Sequence, residues 1–181
     1  QRAQRPTSGA AMMQRRLFAM GPRPLLSYSD PLHMVKGEGV WLTASDGRRY
    51  LDCYNNVPHV GHCNPYVVEA VSRQLRLLNT NTRYLTDEAV NYAERLKATL
   101  DPSLDTVIFV NSGSEANDVA WRMAKVWTGK GGLVAMDFAY HGVTEASDAM
   151  SPSNYPAGKF MKPHVRQIEA PDDYRGPYRR G

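Results

Sequence analysis

A chain of 181 residues, 42% hydrophobic and 22% charged, is long enough for one domain with a sizeable core and has the composition of an ordinary soluble protein. No apolar run approaches the ~20 residues of a membrane span, and no continuous apolar segment follows the first arginines, so neither a spanning helix nor a secretory leader is expected. The formal net charge of +4 resides largely near the ends, in Arg2, Arg5, Arg15 and Arg16, then Arg175, Arg179 and Arg180, so neither a nucleic-acid nor a membrane partner is expected. Cys53 and Cys63 are too few for a disulfide framework, which makes the reducing cytoplasm the expected compartment. A start at Gln1 and a stop after the loop-like Tyr174–Arg180 run read as a piece of a longer protein.

Residues 1–16 are polar and arginine-rich without an apolar period, so 1–21 is expected as a tail or helix, flexible, ahead of a proline-containing connector at 21–24. Leu32–Val35, Val40–Ala44 and Arg49–Cys53 have strand character, and Ser45-Asp46-Gly47 between the last two is a hairpin signal. Asn55–His62 reads as a loop. Asn64-Pro65 is a helix start, with Val68, Val71, Leu75 and Leu78 as the buried face, and Asn79–Tyr84 is turn-like. A second helix follows Thr86, with Ala89, Ala93, Leu96 and Leu100 on one face, and Asp101-Pro102 ends it.

Thr106–Val110 has the β-branched and aromatic composition of a buried strand. From Glu115 the period changes: Ala116, Val119, Ala120, Met123, Ala124 and Trp127 share one helix face, and Asp118, Arg122 and Lys125 lie on the other. Gly132–Phe138 is another apolar run of strand length, a shorter helix follows Gly142, and Val165–Ile168 is a further strand. Strands separated by helices imply an α/β fold with βαβ units and a parallel sheet, and no internal repeat is present.

The turn Asn111-Ser112-Gly113-Ser114 joins strand to helix. A helix starting there aims its unpaired N–H groups and positive dipole end at the loop, a site for a phosphate with the Ser112 and Ser114 hydroxyls as further donors. The plainer alternative is a serine N-cap and nothing more. His59, His62, Cys63 and Cys53 match no standard zinc spacing, so no metal is expected. His141 admits a general-base reading from its ordinary pKa, or simple packing at a strand end. Glu115 is either a first-turn acid supporting its helix or a neighbour of the ligand.

Asn-Ser-Gly-Ser-Glu-Ala-Asn-Asp at 111–118, followed by Ala-Tyr-His-Gly at 139–142, resembles the class III aminotransferase family, fold type I enzymes that use pyridoxal 5′-phosphate. The resemblance spans roughly residues 25–160. It implies a partial fold type I α/β architecture: a small-domain segment with a hairpin at 22–62, then an incomplete first part of the large cofactor-binding domain at 63–181. It assigns Gly113 and Ser114 to the cofactor phosphate, with Ser112 beside them, Tyr140 to stacking on the pyridine ring, and His141 to the same cofactor set. In the family's Gly-His-x-His-Pro element, Asn64 here replaces the second histidine within Gly61-His62-Cys63-Asn64-Pro65.

The family's Schiff-base lysine and the acid at the pyridine nitrogen lie beyond these motifs. None of Lys36, Lys97, Lys125, Lys130, Lys159 and Lys162 matches the lysine, so the catalytic residues are unknown and the chain alone is expected to be inactive. The full-length enzyme is expected to be a homodimer that transfers an amino group from an amine or amino acid to a 2-oxo acid. Tyr54–Cys63 and Leu78–Arg83 resemble the branch containing phospho-lyases of phosphorylated amino alcohols, and Arg83 is a candidate contact for a substrate phosphate or carboxylate. Two alternatives remain: a non-catalytic homologue, and an α/β domain whose Ser-Gly-Ser loop binds nothing. A half-domain leaves apolar surface uncovered, so the isolated chain is expected to aggregate.

Overall fold

The computed structural model describes residues 9–22, 26, 28–54, 58–155 and 162–179. Residues 1–8 of the expected tail, Arg23 and Pro24 of the 21–24 connector, Asn55–Val57 of the expected loop, Lys159 and Arg180 lie outside the described residues. The chain divides into two compact units, one ending at Leu85 and the other beginning at Thr86.

In the first unit the arginine-rich segment is a helix, α1, Gly9–Met20. Three short strands follow, β1 (Met34–Glu38), β2 (Trp41–Ala44) and β3 (Arg49–Leu51), in an antiparallel sheet of that order. The hairpin expected at Ser45–Gly47 is present. Gly47 takes φ +88°, its N–H reaches the Ala44 carbonyl at 2.9 Å, and Asp46 holds both the backbone N–H and the guanidinium of Arg48. The first strand lies later than Leu32–Val35, because Lys36, Gly37 and Glu38 pair with Thr43, Leu42 and Trp41 across the tight turn at Gly39. Helix α2, Pro65–Leu77, starts where the sequence places it. The Asn64 side chain accepts from the N–H groups of Tyr66 and Val67, and proline supplies no N–H to satisfy.

The expected buried face of α2 is not buried: Val68, Val71, Leu75 and Leu78 are all exposed. Apolar period identifies the side a helix turns toward a partner, but no described element supplies that partner.

In the second unit α3 (Asp87–Lys97) follows Thr86, and the chain turns at Asp101. Along α3 only Ala93 and Leu96 of the expected face are half-buried. Thr106–Val110 belongs to no strand, which corrects the expectation of a central strand. A strand requires a neighbour to complete its backbone hydrogen bonds, and among the described residues none pairs with this segment. Phe109 instead stacks on Tyr92 of α3, ring centroids 5.2 Å apart.

Helix α4, Gly113–Thr128, is closed at its C-terminus by Gly129 at φ +66°. Then come β4 (Leu133–Met136), α5 (Glu145–Ala149), a 3-10 turn at Pro152–Asn154 and β5 (Val165–Ile168). Strands β4 and β5 pair in parallel from Leu133–Val165 to Met136–Ile168, as the crossover through α5 requires. Ala135, Ala149 and Val165 form the small core with Leu133 against them.

Helix α4 has the two faces that its period predicts, and it is the polar one that meets the rest of the unit. Its apolar face is open, with Met123 and Val126 exposed and Trp127 91% exposed. The covered side carries Asn117, Asp118 and Trp121, which meet the loop before α5 and His164. The polar side has its partner within this chain.

Candidate functional site

The site begins at the start of α4. Ser112 is extended, with φ −156° and ψ 160°, and its Oγ accepts the Glu115 N–H at 3.2 Å. Glu115 Oε2 reaches back to the Asn111 N–H at 2.6 Å. Ser112 thus caps the helix while Glu115 holds the residue ahead of the cap, which gives Glu115 a structural place. Among the described residues nothing accepts from the N–H groups of Gly113 and Ser114. A side chain built on Gly113 would meet nothing within 4 Å, so the loop is open on that side. Unpaired donors at the positive end of a sixteen-residue helix are suited to an anion.

The second component is the loop after β4. Phe138 at φ +64° turns the chain out of the strand, and Tyr140 follows, 60% exposed and in no ring contact among the described residues. The loop is tied to α4 by side chains. Ser114 Oγ accepts from the Val143 N–H at 3.1 Å, Asn117 Nδ2 donates to the His141 carbonyl at 2.7 Å, and Thr144 Oγ1 donates to Asp118 Oδ1 at 2.7 Å. On its inner side the His141 N–H donates to Ser151 Oγ at 2.8 Å. The Thr144 N–H donates to Ser147 Oγ at 3.1 Å, and both of these serines are fully buried.

Gly142, at φ +139°, makes the approach geometrically allowed. A Cβ there would overlap the Ser114 hydroxyl and lie 2.8 Å from Ser114 Cα and 2.5 Å from Ser147 Oγ. Only glycine adopts this backbone region without strain.

The structure therefore brings Ser112, Gly113, Ser114 and the Tyr140–Val143 loop to one place. For His141 it is the backbone that is held, while its imidazole has no partner among the described residues. Sequence reasoning missed Asn117, Asp118, Thr144, Ser147 and Ser151. The signal was weak: Thr144 and Ser147 form a reciprocal cap with serine where glutamate or glutamine is usual, and Asp118 reads as solvent-facing from its period.

Elsewhere, His62 Nε2 meets Asp52 Oδ2 at 2.7 Å and packs against Gly37, so that its backbone bridges Gly39. Cys53 and Cys63 are exposed free thiols. Arg83 folds onto Asn81 in an exposed turn. Lys36 pairs with Glu38, Lys162 with Glu145, and Lys125 lies over the Trp121 ring. No described helix is long and apolar enough to cross a membrane.

The chain is similar to several known proteins. Alanine–glyoxylate aminotransferase 2-like of Drosophila melanogaster is 43% identical over 152 residues, covering 83% of this chain and 31% of the relative. Ethanolamine-phosphate phospho-lyase homolog 1 of Caenorhabditis elegans is 37% identical over 171 residues, covering 93% of this chain and 36% of the relative. A solved phospholyase from Arthrobacter in complex with phosphoethanolamine superposes with a TM-score of 0.84 at 43% identity, covering 89% of this chain and 38% of that one. Solved transaminases share the same fold, so the two units are part of a fold type I α/β architecture. The chain spans only about a third of the length of these relatives, by the coverages of 31% and 36%. With residues 27–180 matching the family throughout, this chain belongs to the class III aminotransferases.

Proposed function

We propose that this chain forms the phosphate cradle and ring-stacking loop of a longer enzyme dependent on pyridoxal 5′-phosphate. The carrying observation is the junction itself: two unpaired N–H groups at the start of α4, open space over Gly113, and the exposed Tyr140 ring on a loop fastened to that helix. The donor set fits a phosphate monoester. Gly113 and Ser114 offer backbone N–H groups. The Ser112 and Ser114 oxygens each accept a backbone N–H and keep their own hydroxyl protons to donate. Tyr140 presents a flat apolar face for a heteroaromatic ring, and His141 contributes through its held backbone.

When bound, the cofactor supplies an electron sink for a carbanion at the substrate carbon that carries the amino group. The chain's own residues bind and orient it; they do not move protons. Among the described residues Lys36 and Lys162 pair with carboxylates and Lys125 lies over the Trp121 ring, which supports the reading that the lysine and acid completing the chemistry lie outside this chain and that the chain alone is inactive. A homodimer is the expected assembly of the complete enzyme. The free thiols of Cys53 and Cys63 suit a reducing compartment such as the cytoplasm.

Two reactions fit this apparatus: amino transfer from an amine or amino acid to a 2-oxo acid, and elimination of phosphate from a phosphorylated amino alcohol. Elimination is favoured by the 43% identity to the Arthrobacter phospholyase, against 26% for the solved transaminase from Thermomicrobium roseum. Amino transfer is the family's prevailing activity and is favoured by the name of the 43% identical Drosophila relative. We put elimination first on the structural likeness. The test is a product assay of the full-length enzyme on phosphoethanolamine. Inorganic phosphate released without a 2-oxo acid supports elimination, and a strict requirement for that acceptor refutes it. For the cradle, Tyr140→Ala should weaken cofactor binding five- to tenfold, about 1 kcal/mol, while Tyr140→Phe binds normally. Equal binding by both variants would remove the stacking role.

A further inference from the structure

We propose that Asn117 is a positioning residue that sets the Tyr140 loop in register with the phosphate cradle, an inference that rests on the cofactor reading above. Asn117 stands one helical turn beyond Ser114, so the two side chains share a face of α4. They grip the loop on either side of Gly142. Ser114 Oγ takes the Val143 N–H at 3.1 Å, and Asn117 Nδ2 gives a hydrogen bond of 2.7 Å to the His141 carbonyl. The preceding peptide is tied inward, its His141 N–H donating to Ser151 Oγ at 2.8 Å. Consecutive peptides after Tyr140 are therefore each held by side chains, the last of them also through the Gly142 carbonyl, which Ser151 Oγ and Asn154 Nδ2 reach at 3.4 Å. Among the described residues Asn117 alone holds the middle one, and a rotation that would swing the Tyr140 ring must break one of these ties.

The ties differ in what else they do. Ser114 also faces the phosphate, so altering it removes a donor from the cradle. Ser151 is fully buried and also donates to the Ser147 carbonyl at 2.6 Å, so altering it disturbs the interior. Asn117 is half-buried, and its Nδ2 bond to His141 is its recorded link to the loop. Removing that bond should release the ring-bearing loop and leave the phosphate donors in place. A merely structural role makes a different forecast, in which ring and phosphate binding fall together.

The experiment uses the apo form of the full-length enzyme and two probes: inorganic phosphate, and 4′-deoxypyridoxine 5′-phosphate, which carries ring and phosphate but no aldehyde. In Asn117→Ala the ring-bearing probe should bind about five- to tenfold more weakly, as expected for one lost hydrogen bond, with phosphate affinity within twofold of wild type. Asn117→Leu, which keeps the volume without the donor, should behave alike. Parallel weakening of both probes, or no change in either, overturns the inference. If the wild-type apoenzyme binds neither probe, the cofactor reading itself fails and this inference falls with it. Wild-type binding of both probes with an unaffected variant removes only the role of Asn117.

Discussion

Replacing Gly142 by alanine tests whether the close approach of loop and helix is what builds the site. The new methyl group would overlap the Ser114 hydroxyl and lie 2.5 Å from Ser147 Oγ, at a φ of +139° that L residues rarely adopt. Holding the native geometry costs about 1–3 kcal/mol in backbone strain, and overpacking adds about 1–3 kcal/mol. The loop has a cheaper escape. By moving away from α4 it gives up the Val143–Ser114 and Asn117–His141 hydrogen bonds, together about 2 kcal/mol net. The lower of the two routes sets the effect, so pyridoxal 5′-phosphate affinity should fall roughly thirtyfold. Fluorescence titration of the full-length apoenzyme measures it. An affinity within twofold of wild type would show that the loop does not need this contact to serve the ligand, and the account of the site would be wrong.

Three further outcomes follow from the same geometry. Ser112→Ala removes the cap on α4, worth about 1 kcal/mol, and should speed amide exchange at Glu115, whereas Ser112→Asp should preserve the cap and repel inorganic phosphate; similar phosphate affinity in both variants would contradict the cradle. The N–H groups of Arg175 and Tyr174 hold the Asp172 carboxyl below the usual carboxylate range. Because its folded pKa is depressed, the turn it organises is intact above the ordinary aspartate pKa and loosens only as pH falls through the lowered value. Amide shifts of Tyr174 and Arg175 that titrate at or above the ordinary aspartate range would refute that. The isolated chain, with the apolar faces of α2 and α4 open, should self-associate in size-exclusion runs, and a monodisperse monomer with a sharp cooperative melt would refute this.

Features governed by adjacent residues were legible before any coordinates. Asn64-Pro65 announces α2 because a side-chain cap and a missing N–H act within one turn. Asp46-Gly47 announces the hairpin because φ there must be positive. Val165–Ile168 is the strand that its composition predicts. Features that depend on distant partners were not legible. Thr106–Val110 has strand composition, but a ladder needs a second strand and none is described beside it. The period of α4 identifies its apolar side correctly, yet its polar side is the one covered, since Thr144 and His141 approach there. The motif also points to the Gly-Ser pair and Tyr140 as the proposed site. The serine and asparagine ties beneath them were not legible, because polar residues on a helix look alike in sequence whether they meet solvent or a loop peptide.

The ties between cradle and loop also bear on the order in which the protein folds. They join residues 24, 26 and 29 apart in the chain. Closing loops of that size is inexpensive compared with assembling a sheet from distant strands, since chain entropy grows only slowly with span. Contacts of such modest separation form early. The phosphate cradle and its ring-bearing loop are therefore placed to assemble while the apolar sides of α2 and α4 still lack a cover. On that order of events, the proposed ligand site forms before those apolar faces are covered, and added cofactor should accelerate refolding from its earliest phase.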